Sequence, residues 1–336
     1  MPTMSVTHLH SLSTLSDTDD APVFIMGIMP RSGTNFLHRL LCQHPVCGAI
    51  NTTPVREDYV LHHGYWLSTF TKRLKWQWGH WGADSEFVAP LSSNIGVGIS
   101  NFLSNLTEAK RFVTKTPSVA NIDSFFEFFP HAKLLIIVRD GRSVVASGMS
   151  GFGWNFETAS REWAKASRSI LKFEKNNQQF SDRFKIVRYE SLNENTVAVL
   201  NDVFDFLELD ASQYDFEAAL DTPIYGSSYM KEEGDKVTWT PKAKDTELVV
   251  KNRWDSWTSF EHQRFNRLAA KELKLLGYEP VETSASFVQG CKHALLDFKA
   301  NSRRTKSLLL KATKAGARSF RKELRGESQS KVNLKK

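Results

Sequence analysis

The segment Gly27-Ile28-Met29-Pro30-Arg31-Ser32-Gly33-Thr34 sets two glycines, two hydroxyls and one cation between an apolar run and an amphipathic one. Such a loop turns backbone N–H groups and a helix dipole towards an anion, and glycine lets the backbone approach closely. Against the phosphate-loop pattern GxxxxGK[ST] it keeps the first Gly and the final Thr, but Ser32 replaces the second Gly and Gly33 the lysine. That lysine reaches the β- and γ-phosphates of a nucleoside triphosphate, so its loss argues against an ordinary kinase or NTPase. The cation has moved to Arg31. Alone, the loop reads equally well as a plain turn between strand and helix.

A second constellation changes the balance. The apolar run Ala132–Val138 leads into Arg139-Asp140-Gly141-Arg142-Ser143 and then Val144-Val145-Ala146-Ser147. Arg139, at the carboxyl end of a strand, would face the ligand crevice of an open α/β sheet. Ser147 lies eight residues on, about two helical turns, and would point back to that crevice. An arginine and a hydroxyl there suit a second phosphate, away from the one on the glycine loop. The plainer alternative makes Asp140 a helix cap and Arg142 a solvated charge.

Positioning these groups requires strands that end at one edge. Ala21–Gly27, Arg111–Lys115, Ala132–Val138 and Phe184–Tyr189 read as strands, and Ala132–Val138 is an unbroken apolar run of the parallel-sheet type. Helical spacing follows from Thr34 to a stop at Pro45, over Arg56–Leu74 and over Ser118–Phe129. It returns over Asp140–Met149, Asn155–Asn176, Glu194–Leu207 and Phe260–Leu276, where Gly277 provides a cap. Strands alternating with helices predict a P-loop-like three-layer α/β fold, a central parallel sheet flanked by helices. The stretch from Asp210 to Val250 is loop-rich.

Composition sets the outer bounds. Hydrophobic residues make up 41% and charged residues 24%, enough for a sizeable core. Residues 1–20, rich in Ser and Thr, read as a disordered leader; 21–282 as one catalytic domain; 283–336 as a basic extension. From Gly290 onward there are 14 Lys or Arg against 3 acids, which leaves 30 basic and 34 acidic residues before it. The net charge of +7 therefore describes the tail, and a nucleic-acid surface is not expected. No apolar run reaches membrane-spanning length, the leader lacks a signal-peptide pattern, and the odd cysteine count (Cys42, Cys47, Cys291) suggests reduced thiols. A cytoplasmic location is the expectation. Leu308–Leu310, Phe320 and Leu324 give the tail apolar anchors for peripheral contact with an anionic membrane.

The two segments, in this order, resemble the donor-binding motifs of sulfotransferases that use 3′-phosphoadenosine 5′-phosphosulfate (PAPS). PRSGT resembles the 5′-phosphosulfate loop and LLIIVRDGRSVVAS the 3′-phosphate motif. Thr114-Lys115-Thr116-Pro117 resembles the lysine segment that ends the family's next strand, and Val187-Arg188-Tyr189-Glu190-Ser191-Leu192 its Tyr-Glu-x-Leu strand end. The likeness runs from about Pro22 to Gly277 and is closest to the bacterial and tyrosylprotein-type branch. It implies that Arg31, Ser32, Gly33, Thr34 and Asn35 hold the 5′-phosphosulfate and that Arg139 and Ser147 hold the 3′-phosphate. It also puts Tyr189 near the adenosine and Lys115 near the leaving oxygen. The branch often carries another basic residue after the conserved serine; here Gly148 to Gly151 stand there, and Lys251 or Arg253 would substitute.

Sulfuryl transfer, like phosphoryl transfer, is an in-line displacement that needs positioning, charge stabilisation and a base for the acceptor hydroxyl. Arg31 and Lys115 would supply charge. Glu57 is the candidate base, with Asp58 next, in the segment that follows the first helix. No metal is required, and His62 and His63, adjacent on an expected helix, would point apart. Trp66, Trp76, Trp78 and Trp81 suit a carbohydrate acceptor, or else pack a core; tyrosine and small molecules remain open as acceptors. Two other readings stand beside this one. A phosphotransferase of P-loop kinase type predicts ATP and magnesium dependence, and a binding protein that has lost turnover predicts donor affinity alone.

Overall fold

The computed structural model describes residues 21–50, 57–222, 232–233, 236–237, 254–284, 286–299 and 302. The leader, Lys251, Arg253 and most of the basic extension, including Leu308–Leu310, Phe320 and Leu324, lie outside them. Two compact units divide the chain: residues 1–257 with 265–280, and residues 258–264 with 281–336.

The first unit is built on a five-stranded, all-parallel sheet in the order β2-β3-β1-β4-β5. The strands are β1 (Val23–Gly27), β2 (Cys47–Ala49), β3 (Arg111–Thr116), β4 (Lys133–Val138) and β5 (Phe184–Arg188). β1 and β4 are buried throughout because helices cover both faces of the sheet, and their side chains divide by alternation. Phe24, Met26, Leu134, Ile136 and Val138 join one core; Val23, Ile25, Leu135 and Ile137 join the other. Against the second core lie α1 (Thr34–Leu41) and α9 (Thr196–Leu207), through Phe36, Leu37, Leu40, Leu200 and Phe204. Against the first lie α6 (Gly141–Phe152), α7 (Phe156–Asn176) and the later part of α11 (Ser259–Leu275), through Val144, Val145, Trp163, Phe173 and Phe265. This is the expected three-layer α/β architecture. All strands share one direction, so every carboxyl end opens on one edge, where such sheets bind ligands.

Several local expectations change. The helix expected over Arg56–Leu74 is α2, Gly64–His80. Residues 57–60 are loop, because their backbone and side chains bond to the end of β3 and Tyr59 takes a left-handed φ of 48°. His62 and His63 thus precede the helix, with their rings edge-to-face at 5.1 Å. The helix expected over Ser118–Phe129 shortens to a 3₁₀ turn at Ile122–Ser124 and α5 (Phe125–Phe128), after Asn121 turns left-handed at φ 58°. β5 ends one residue early, and Tyr189 opens α8 (Tyr189–Glu194). β2, three residues long, α3 (Ser85–Val88) and α4 (Leu91–Ser104) had no counterpart in the sequence reading, and α10 (Phe216–Leu220) lies in the stretch expected to be loop-rich.

Of the second unit, residues 287–299 are helical, and Phe260 stacks on His293 with ring centroids 4.4 Å apart. Arg264 pairs with Asp297 at 2.8 Å in the same unit. No described helix is long and apolar enough to cross a membrane.

Candidate active site

The glycine loop leaves β1 and enters α1 through two left-handed residues, Arg31 at φ 76° and Gly33 at φ 100°. Left-handed residues on either side of an ordinary one are the backbone pattern from which anion nests are made. Gly33 is the N-cap of α1 and offers no side chain to the first amides of the helix, so those donors stay available to an anion. Ser32 is fully buried, and its Oγ has no protein partner. Thr34 is buried behind it and Asn35 half-buried. A Cβ at Gly27 would lie 2.5 Å from both Ser32 Oγ and Thr34 Cγ2, so the loop closes tightly only over glycine.

Arg139 follows β4, where the sequence placed it. One of its terminal nitrogens donates to the carbonyl of Arg31 at 2.9 Å, and its guanidinium lies 4.3 Å over the ring of Tyr189. Its Nε is buried without a protein partner. Asp140 does cap α6, accepting from the Arg142 amide at 2.8 Å, but Arg142 is not solvated. It is buried, paired with Asp140 at 2.6 Å and set 4.0 Å over the Trp254 ring. The Asp140 amide donates to Glu190, whose other oxygen accepts from the Tyr278 hydroxyl at 2.7 Å. The turn that carries Arg139 is thus held from both sides.

The side chains of the two loops meet. Arg31 Nε donates to Ser147 Oγ at 2.9 Å, and the Arg31 guanidinium lies 5.4 Å from the Phe152 ring. Arg31 and Ser147, assigned from the sequence to two different phosphates, are one contact. Tyr189 is buried rather than open to a ligand, wedged between Gly33 and Arg139.

On the other flank, Lys115 near the end of β3 donates to Glu57 Oε1 at 3.1 Å, with side chains 9% and 23% exposed. The Tyr59 side chain lies near Glu57, and its pKa is pushed up to about 12 by burial first and then by the neighbouring Glu57 carboxylate. Asp58 turns away into the protein. Its carboxylate accepts from Thr114 Oγ1 at 2.8 Å and from the Val60 amide at 2.9 Å. Burial raises its pKa despite those bonds. The Asp58 amide donates to the Lys115 carbonyl at 3.2 Å and the Tyr59 amide to Thr116 Oγ1 at 3.0 Å, so the loop is laced to the strand that carries Lys115. Beneath, His38 donates through Nε2 to the Val113 carbonyl at 3.2 Å. Burial first, then the nearby Lys115 charge, hold its pKa down at about 4. Sequence reasoning missed Tyr59 and His38, and the only signal for Tyr59 was its place beside two candidate carboxylates.

The donors present fit an anionic ligand of more than one phosphate-like group. Loop amides, Ser32 Oγ and Arg139 Nε lie together at the strand ends with bonding capacity to spare, and a paired carboxylate and ammonium stand on β3 and the loop bonded to it.

A family model described as "Sulfotransferase family" matches residues 22–213. A protein-tyrosine sulfotransferase of Drosophila melanogaster is 25% identical over 273 residues, covering 78% of this chain and 52% of its own length. The chain thus spans about half the length of that curated relative. Among solved structures, the sulfotransferase domain of a Synechococcus olefin synthase is 23% identical at a TM-score of 0.44, over 71% of this chain and 90% of that one. A mouse sulfotransferase complexed with PAP is 14% identical at a TM-score of 0.41, over 81% and 88%. The family match takes in the glycine loop, Lys115, Arg139, Ser147 and Tyr189 within more than half of the sequence, and the chain belongs to the sulfotransferase family.

Proposed function

We propose that this chain moves a sulfuryl group from PAPS to the hydroxyl of an acceptor. The observation that carries the reading is the meeting of Arg31, Arg139 and Ser147 beside the glycine loop. Two arginines and a hydroxyl there, added to the loop amides, suit a nucleotide phosphorylated at two places. Arg139 and Ser147 hold the 3′-phosphate, and Arg31 is shared between the two anionic ends. Ser32, Gly33, Thr34 and Asn35 hold the 5′-phosphosulfate. Tyr189 acts from behind, as the surface on which Gly33 and Arg139 rest.

In the transfer, the acceptor oxygen bonds to sulfur as the bond from sulfur to the bridging phosphate oxygen breaks. The acceptor's proton passes to Glu57, and adenosine 3′,5′-bisphosphate leaves with the electron pair. Lys115 balances the charge that grows on the leaving oxygen. The contact between Lys115 and Glu57 supports these roles, since it sets the base and the leaving-group cation side by side at the strand end. Lys115 holds Glu57 in place through the bond at 3.1 Å. The acceptor bears a hydroxyl, and the name of the fly relative favours a tyrosyl hydroxyl over the sugar that the tryptophans suggested.

Calorimetry with adenosine 3′,5′-bisphosphate, with ATP and AMP as controls, tests the donor site. Binding of the bisphosphate alone, weakened in Arg139→Ala, is expected; a preference for ATP would refute the reading. Transfer of label from PAPS to a tyrosyl peptide or to an oligosaccharide then separates the acceptors.

A further inference from the structure

Helix α2 is amphipathic in the wrong sense for a helix of a soluble domain. Gly64, Ser68 and Thr71, spaced by four and three residues, form its buried face, with half-buried Leu67 packing beside them against the core. Ser68 Oγ meets Ser124 Oγ at 3.1 Å, and further along Lys75 reaches in to the Ala89 carbonyl at 3.3 Å and to Ser92 Oγ at 3.1 Å. The opposite face carries the large aromatic side chains: Tyr65 is 61% exposed, Trp66 69%, Phe70 54% and Trp76 70%. At about 100° per residue these four, with Arg73 and His80, fall on the half of the helix turned from the protein. Trp76 stacks on His80, with centroids 5.8 Å apart. Trp81, just past the helix end, is 72% exposed. Small polar residues inward and aromatic residues outward is the pattern of a helix whose apolar partner lies outside the domain.

Charge selects among partners. α2 contains Lys72, Arg73 and Lys75 and no Asp or Glu; the nearest acids beyond it, Asp84 and Glu86, follow in the next turn of chain. Exposed His62 and His63 precede it. A two-fold pairing of α2 with a second copy through the middle of the helix would bring Arg73 against Arg73 with no helix carboxylate to offset it. The outer face of a helix is convex, unlike the concave sites that enclose a small ligand. Tryptophan and tyrosine rings flanked by Lys and Arg suit the boundary between headgroups and acyl chains, where the rings lie flat and the cations meet lipid phosphates.

We infer that the outer face of α2, through Tyr65, Trp66, Phe70, Arg73 and Trp76, docks this enzyme on an anionic lipid surface. The helix is distinct in sequence from the basic C-terminal tail, and the inference does not depend on the donor or acceptor.

Flotation of the full chain with phosphatidylcholine vesicles, alone or containing about one-third phosphatidylglycerol, tests it. The wild type should float with the anionic vesicles and less with the neutral ones. Trp66→Ser combined with Phe70→Ser should weaken partitioning by at least about tenfold, because two large apolar side chains no longer enter the interface. Arg73→Glu should weaken it further at low salt than at high salt. An unchanged melting temperature and unchanged adenosine bisphosphate affinity would show that the variants are folded. Equal flotation of wild type and double variant overturns the inference and assigns the binding elsewhere, the tail included. A wild type that does not float overturns it too, whether light scattering then finds a dimer broken by the same substitutions or a monomer.

Discussion

Gly33 and Tyr189 are packed so closely that a methyl group on the glycine would lie 2.3 Å from the tyrosine Cδ2. The contact joins the start of α1 to the start of α8, just past the end of β5, and fixes the left-handed turn that aims the loop amides. Gly33→Ala should therefore cost about 2–4 kcal/mol, combining backbone strain at φ 100° with overpacking, and should also weaken bisphosphate binding. Urea denaturation checks the first effect and calorimetry the second. Adding Tyr189→Leu should return the overpacking part and leave the backbone part.

Glu57→Gln should lower turnover by roughly 10²–10⁴, the usual range for a lost general base, with the bisphosphate dissociation constant little changed. Steady-state rates with saturating acceptor and a parallel binding titration separate the two. Full turnover in this variant would remove Glu57 from the mechanism.

Asp58 distinguishes the needs of packing from those of charge. Asp58→Asn keeps an oxygen for the Val60 amide and gives Thr114 a donor, while removing a buried charge. It should melt at or above the wild-type temperature at neutral pH. The folded-state pKa of Asp58 is raised, so the wild type loses stability as pH climbs above the ordinary carboxylate range, and the asparagine variant should lack that loss. Asp58→Ala leaves both partners unpaired and should lose about 2 kcal/mol or more, read as a lower melting temperature.

His38 sets an acid limit of opposite sign. The folded protein takes up this proton only near pH 4, the unfolded chain near 6.5, so the unfolded state binds more protons between them. Stability present above pH 6.5 should fall by about 3 kcal/mol by pH 4 on this account. His38→Gln should show a flatter decline over that window, measured as the urea midpoint against pH.

Elements whose burial is nearly complete were the legible ones. Ala132–Val138 reads as a central strand because helices on both faces leave it no polar position, and the glycine loop reads from the order strand, turn, helix. Arg139 was read from its place at a strand end, Gly27 from the glycine-loop pattern, and Lys115 from the resemblance to the family's lysine segment. What escaped depends on contacts between distant residues. The loop at 57–60 has helical spacing on paper, yet four bonds to β3 hold it open. Arg31 and Ser147 are 116 residues apart, and no spacing rule shows that one side chain reaches the other. Tyr189 had the right neighbourhood and the wrong exposure, since an aromatic residue at a strand end can face a ligand or the back of a loop. Trp66 and Trp76 of α2 fit a core as well as a surface until the fully buried positions of the helix are seen to be Gly, Ser and Thr.

Among the described residues, the first strand in the chain is the middle of the sheet. β1 pairs only with β3 and β4, and Val23 is in register with Val113 and Lys133. On the ribosome, the apolar segment Val23–Gly27 has no strand to meet until the chain has been extended past Thr116. Its second edge stays open until β4 emerges. Contacts of such long sequence separation close slowly, and the exposed strand is a point of aggregation while they do. Folding of this enzyme should therefore gain from chaperone cover while the chain between β1 and β4 is being made, and lose from any lengthening of the segment between α1 and β3.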